Sequence, residues 1–331
     1  MNHFKHAVVC ALTVGAVLLA PAGRAQTFPS KPIRILNEFS AGAGGDIITR
    51  VIASKLAEIV QQPVIIENRP GAGGALAGRM VAQSAPDGYT LLASTPNSQV
   101  LRIVLVKDTS SNPYNPQKDL TPIMMIGETP IVVLARTDGR LKSFKDLIEL
   151  ARRNPGTLSV GHSGFGTTFH LDGEQVKLLT GVTWLDVPYK GGLPATQDVA
   201  TGQIDISLAI VGSAMPLLSA GRVRPIAVMA ASRLAAMPDV LTVSELLPDF
   251  RPVPNWIGIF GPANMPQPIL ERLHADLVKA TIAPDSRAKI IDGGMTVVAN
   301  SPAEFAALIR NDVELVGRIV KAANIQITEG Q

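Results

Sequence analysis

The stretch Ile33-Arg34-Ile35-Leu36-Asn37-Glu38-Phe39-Ser40-Ala41-Gly42-Ala43-Gly44-Gly45-Asp46 sets the fold class. Ile33 to Leu36 reads as a buried strand. Beyond the glycines, Ile47, Val51, Ile52, Leu56 and Ile59 recur at helical spacing. The same alternation continues with a strand at Val64-Ile65-Ile66-Glu67, a helix from Ala75 to Gln83 and a strand from Tyr89 to Ala93. Strand and helix in turn, joined by right-handed crossovers, make a mostly parallel sheet covered on both faces, so the class is α/β.

A second set of strand and helix signals follows at Ile131 to Ala135, Phe144 to Arg153, Leu158 to Gly161, Leu171 to Leu179, Ile204 to Ile210 and Pro225 to Ala230. The tail returns with a strand from Trp256 to Gly261, a helix from Pro268 to Ala280 and a last helix from Pro302 to Ala323, begun by the Ser301-Pro302 cap signal. The expected organisation is two lobes, 26–127 with 253–331 and 128–252, with chain crossings near 126–130 and 250–256.

The amino terminus reads as a secretory leader over residues 1–25: Lys5, an apolar run from Ala7 to Ala20, then Gly23-Arg24-Ala25 before Gln26. That run is shorter than the roughly twenty residues a membrane-spanning helix needs. The single cysteine, Cys10, lies inside it without a lipoprotein-type setting, so the exported chain holds itself by core burial and not by disulfides. Lys5 and Arg24 leave with the leader, which lowers the formal net charge of +3 by two and removes any nucleic-acid footprint.

Three polar turns, each after a strand, are the candidate site. The first is Phe39-Ser40-Ala41-Gly42-Ala43-Gly44-Gly45-Asp46, the second Ser163-Gly164-Phe165-Gly166-Thr167-Thr168, the third Ser94-Thr95-Pro96-Asn97-Ser98. Glycines let backbone N–H groups point at a ligand, and a helix start adds partial positive charge, which suits a carboxylate or phosphate. Ligands in open α/β sheets sit at the carboxyl ends of strands, where all three turns fall. Any one such turn also serves as a plain helix cap; three of them split between two lobes point to a cleft. Arg50, one turn into the first helix, is expected to reach solvent or pack against the surface.

Enzyme motifs do not fit the spacing. Gly42-Ala43-Gly44 and Gly71-Ala72-Gly73 are followed by Ile47 and Leu76 where a dinucleotide fingerprint needs glycine. Gly161-His162-Ser163-Gly164-Phe165 has Phe165 where a nucleophile elbow needs glycine. Beyond the leader the histidines are His162, His170 and His274, with no metal-ligand spacing. The competing reading from another class is an exported serine hydrolase using Ser163 with His170 or His162.

Taken together the motifs resemble the substrate-binding proteins of tripartite tricarboxylate transporters, the Bug receptors. The matching stretches include Pro32-Ile33-Arg34-Ile35, Val64-Ile65-Ile66-Glu67-Asn68-Arg69-Pro70-Gly71, Ala85-Pro86-Asp87-Gly88-Tyr89, Val187-Pro188-Tyr189-Lys190-Gly191, Gly202-Gln203-Ile204-Asp205 and Trp256-Ile257-Gly258-Ile259-Phe260-Gly261-Pro262. The resemblance implies a type II periplasmic binding protein fold, closing on a small carboxylate or related amide held largely by main-chain N–H groups and waters. The implied contacts are Phe39, Ser40, Ala41, Gly42, Ala43, Gly44, Asp46, Thr95, Asn97, Ser98, Ser163, Gly164, Thr167 and Thr168, with Asp205 lining the cleft. It also implies a periplasmic monomer without cofactor or metal that is no enzyme. Its partner would be a membrane permease, or a sensor kinase in a signalling variant. Asn37-Glu38, Ala41-Gly42-Ala43-Gly44 and Leu208-Ala209 depart from the family pattern.

Overall fold

The structure, a computed structural model, describes residues 28–105 and 114–325; the leader expected over 1–25 lies outside them. The first part of the chain forms β1 (Ile33–Asn37), α1 (Gly44–Val60), β2 (Val64–Asn68), α2 (Ala75–Ala82), β3 (Thr90–Ser94) and β4 (Leu120–Glu128). The middle part forms β5 (Ile131–Arg136), α3 (Phe144–Arg153), β6 (Ser159–His162), α4 (Thr168–Thr180), β7 (Leu185–Pro188), α5 (Gly192–Thr201), β8 (Ile206–Ile210), α6 (Val211–Ser219) and β9 (Val223–Met229). The last part forms β10 (Trp256–Pro262), α7 (Gln267–Ile282), α8 (Pro284–Asp292), β11 (Thr296–Val297) and α9 (Pro302–Ala322).

These strands make two sheets, ordered β11-β4-β10-β3-β1-β2 and β7-β6-β8-β5-β9. Each is mixed. β1, β2 and β3 run parallel, as do β6, β7 and β8, but β10 lies antiparallel between β3 and β4, and β5 lies antiparallel between β8 and β9. The short β11 is likewise antiparallel to β4, whereas β10 and β5 are the strands that enter a lobe directly from the other lobe. With no crossover helix to turn the chain around, they run against neighbours that are joined through helices.

Both faces of each sheet are covered, so the strands read as apolar runs. Ile33, Ile35 and Leu91 pack on one face with Ile52 and Leu56 of α1 and Leu273 and Leu277 of α7. Leu36 and Leu92, one residue further along, turn to the opposite face and join Trp256, Phe260 and Phe305. The second lobe repeats the scheme, with Val133 and Leu208 on one side and Val132 and Ala209 on the other. The cap signal at the last helix is realised as a capping box: Glu304 N donates to Ser301 Oγ at 3.2 Å and Ser301 N to Glu304 Oε2 at 2.9 Å.

Candidate functional site

Register decides which edges of the two sheets meet. Glu128, the last residue of β4, opposes Trp256, the first of β10, so this edge of the first sheet is where the chain crosses. Ser94 at the end of β3 pairs with Gly258, and β1 and β2 end beside it by parallel pairing. In the second sheet Ile210, the last residue of β8, opposes Ile131, the first of β5, and β6 runs parallel to β8 and β7. The carboxyl ends of the parallel strands in both lobes therefore face the crossings and each other. The lobes touch there: a Cβ added to Gly294 would lie 2.8 Å from Gly212 Cα, and one added to Gly212 would strike the Gly293 carbonyl oxygen.

Asp205 is not part of this edge. It precedes β8, whose first residue opposes Ala135 at the far end of β5, and it accepts hydrogen bonds from Ser159 N at 3.0 Å and Ser159 Oγ at 2.9 Å. A five-residue strand separates it from the cleft, roughly 15 Å. Its work is to tie together the starts of β6 and β8, which corrects its expected place in the cleft.

The first turn is held by Asp46. Its Oδ1 accepts from Asn37 Nδ2 at 2.9 Å and Asn68 Nδ2 at 2.7 Å; its Oδ2 accepts from Gly42 N at 2.9 Å and Arg50 Nε at 3.0 Å. Burial opposes ionisation, but these bonds and the Arg50 charge outweigh it and bring the carboxyl down to about 2. With both oxygens committed, Asp46 shapes the turn and its side chain has no acceptor to spare for a ligand. Arg50 also reaches Asn68 Oδ1 at 2.7 Å, so it locks the same knot although its side chain is half exposed.

What the turn offers is backbone. Gly42 takes φ +79°, a left-handed angle that favours glycine. Gly44 is the first residue of α1, and a Cβ there would meet open space; at Gly45 it would collide with the Phe39 ring. The cap residue Ala43 has no side chain to bond the helix start, and the first intrahelical bond is from Ile47 N to Ala43 O at 3.0 Å. The N–H groups of Gly44, Gly45 and Asp46 are thus presented uncapped beside the exposed Ser40 and Ala41.

The third turn is already occupied. Glu38 Oε1 accepts from Thr95 N at 2.8 Å and Thr95 Oγ1 at 2.6 Å, and Oε2 accepts from Ser94 Oγ and Ser98 Oγ, each at 2.6 Å. Burial raises the Glu38 carboxyl above its ordinary range, against the pull of the hydrogen bonds from Ser94, Ser98 and Thr95. Asn97 alone of this turn is left exposed. Glu38 did not figure among the expected contacts.

The second turn is braced from below by two imidazoles. Gly164 N donates to His162 Nδ1 at 3.2 Å and Gly166 N to His170 Nδ1 at 3.3 Å, while Phe165 packs edge-on to both rings. Burial, with the nearby His170, lowers His162 to about 4; burial also lowers His170. Thr167 caps α4, accepting from His170 N at 3.5 Å and donating to Gly164 O at 2.7 Å. Ser163 Oγ donates to Thr167 Oγ1 at 3.3 Å, and Thr168 is buried. The hydroxyl of Ser163 is turned to a threonine and both Nδ1 atoms to glycine N–H groups, so the arrangement is a loop clamp without the serine–imidazole bond of a hydrolase.

A fourth turn, outside the three read from the sequence, lies beside them. Gly191 and Gly192 follow β7 on the same edge, at the start of α5, where no side chain caps the helix. Gly192 must be small because a Cβ there would lie 2.9 Å from Ala209 Cβ. The paired glycines were the available signal.

Comparison with known proteins agrees with this geometry. The family model described as "Tripartite tricarboxylate transporter family receptor" matches residues 48–325. A protein encoded in the tcbD-tcbE intergenic region of Pseudomonas sp. (strain P51) is 33% identical, covering 88% of this chain and 86% of its own. A structure from R. palustris with adipate superimposes with a TM-score of 0.78 at 28% identity, covering 90% of this chain and 99% of that one. MatC from Rhodopseudomonas palustris with bound malate gives a TM-score of 0.73 at 31% identity, covering 88% and 100%. Two α/β lobes with facing strand ends, and a family match over most of the sequence, lead to one conclusion: the chain belongs to the tripartite tricarboxylate transporter receptor family of periplasmic solute-binding proteins.

Proposed function

We propose that this receptor captures a small carboxylate solute in the cleft between its lobes and delivers it to a membrane permease of the tripartite tricarboxylate type. The observation that carries the reading is the uncapped start of α1, whose Gly44, Gly45 and Asp46 N–H groups stand at the cleft edge with no side chain bonded to them. Backbone donors at a helix start bind an anion without a basic residue. The relatives bound to adipate and to malate support a carboxylate as the ligand.

On the second lobe the solute meets the turn 163–168 and the uncapped start of α5 at Gly192. Phe39, Ser40, Ala41, Gly42 and Ala43 form the rim of the first lobe, and Asn97 flanks it. The lobes close by rotation about the two crossings, and the closed face is what a permease reads. The role is capture, without a reaction. The chain is exported to the periplasm by a leader over 1–25 that is then removed, and it works as a monomer. Among the described residues no helix is long and apolar enough to cross a membrane.

A thermal-shift screen of the mature protein against small mono-, di- and tricarboxylates and their amides tests this. At least one compound should raise the melting temperature in a concentration-dependent way, as mass action requires. No stabilisation across the panel at millimolar concentration would count against the receptor reading.

A further inference from the structure

The Glu38 carboxylate lies where the turns after β1, β2 and β3 converge. Four donors meet it, two on each oxygen: Thr95 N and Thr95 Oγ1 on Oε1, and Ser94 Oγ and Ser98 Oγ on Oε2, at 2.6 to 2.8 Å. Gly74, at φ +89°, closes the pocket from the β2 side. A Cβ there would strike Glu38 Oε2 and lie 2.9 Å from Cδ, so the absence of a side chain leaves the space that the carboxylate fills. Gln99 backs the group, its Nε2 lying 2.8 Å from Ser94 Oγ, 3.1 Å from Ser98 Oγ and 3.0 Å from Tyr114 Oη, and the two serine hydroxyls lie 2.7 Å from each other, so cradle and backing form one network.

Such a cradle is a carboxylate-binding position by demonstration, since a carboxylate is in it. It is covalently supplied. All four donors are spent on Glu38, and its partners are hydroxyls and a peptide N–H, so its negative charge is dispersed but not neutralised by them. A second carboxylate arriving at this end of the cleft would find no donor and would meet a like charge, which costs affinity. A neutral or cationic group meets neither penalty.

We propose that Glu38 is a specificity-determining residue: it fills the first lobe's own carboxylate cradle, so the receptor takes a solute with one carboxylate and a neutral or cationic far end and disfavours dicarboxylates. This rests on the receptor reading above and narrows its ligand class. The single ligand carboxylate is then left to the start of α1 and the second-lobe turns.

The test uses matched solutes and a vacated cradle. Calorimetry on the mature protein compares adipate with 6-aminohexanoate and hexanoate, and succinate with 4-aminobutyrate and butyrate. In any set that binds, the dicarboxylate should be weaker by at least tenfold than one of its counterparts. Independently, Glu38→Ala opens the four donors, and 100 mM acetate should raise the melting temperature of that variant by several degrees more than that of the unaltered protein. Acetate rescue holds even if none of the six solutes is a ligand, so failure of the receptor reading and failure of this proposal are separable. Should the alanine variant not fold, Glu38→Gln, which keeps the shape and removes the charge, should narrow the discrimination against dicarboxylates. Equal or tighter binding of a dicarboxylate by the unaltered protein, or a folded Glu38→Ala protein indifferent to acetate, would overturn the proposal.

Discussion

Thr129 and Asn255 clasp each other across the two segments that join the lobes. Thr129 N donates to Asn255 O at 2.7 Å, Thr129 Oγ1 to the same oxygen at 3.0 Å, and Asn255 Nδ2 returns a bond to Thr129 O at 2.8 Å. The crossings are thereby one mechanical unit, and bending at one is felt at the other. Asn255→Ala removes the returning bond alone. We expect a stability loss of about 1 kcal/mol, the usual worth of such a bond, with a wider spread of lobe angles. Urea denaturation checks the first and small-angle scattering the second.

The neighbouring glycines at the start of α1 should respond oppositely. Gly44→Ala places a methyl in open space at an ordinary helical position and should leave stability nearly unchanged. Gly45→Ala drives a methyl into the Phe39 ring, and overpacking of this kind costs about 1–3 kcal/mol. Because Phe39 and the α1 start share the proposed site, Gly45→Ala should lose at least tenfold in affinity, about 1.4 kcal/mol. Urea denaturation of both variants, with titration of Gly45→Ala by the best ligand of the thermal-shift screen, checks this; a destabilised Gly44→Ala beside a silent Gly45→Ala would contradict the geometry.

Asp46 gives the turn an acid limit. Its carboxyl is lowered from 3.8 to about 2 in the folded protein, so the unfolded chain takes up the proton first as the pH falls. The stabilisation is complete above about 4 and is lost as the pH falls through about 2, and it amounts to about 2 kcal/mol at neutral pH. Asp46→Asn should be destabilised at pH 7, and its deficit should shrink steadily below pH 4. Denaturation curves at several pH values measure the gap directly, and a deficit independent of pH would assign the effect to packing.

His162 works in a different window. Burial lowers it from 6.5 to about 4, so between those values the unfolded chain binds more protons than the folded one. Stability should therefore fall as the pH drops from about 6.5 toward 4, by up to about 3 kcal/mol. His162→Asn retains an acceptor for the Gly164 N–H and removes the titration, so its stability should be flatter across this range. A slope unchanged from the unaltered protein would place the titrating group elsewhere.

Much of this architecture is written locally. The apolar run Ile33 to Leu36, the helical spacing from Ile47 to Ile59 and the Ser301 cap each specify an element from neighbouring residues, and each is found within about a turn of helix or less. β4 gives a weaker signal because Pro122 sits in it, at a register shift opposite Phe260 where a missing N–H is tolerated. The site is harder to read than the fold because its partners are far apart in sequence. Glu38 stands out only as a departure from the family pattern, and its donors lie 56 to 60 residues downstream. Asp205 misleads for the complementary reason: a motif says that a residue matters without saying to which end of its strand it belongs.

The most direct measurement is a crystal structure of the mature protein with the best ligand of the thermal-shift screen. The expected result places a ligand carboxylate about 3 Å from the backbone nitrogens at Gly44, Gly45 or Asp46, with the second-lobe turn at 163–168 or Gly192 closed over the same molecule. A ligand held by one lobe alone, or lodged in the outer cavity beside Asp205 and Arg140, would contradict capture between the lobes.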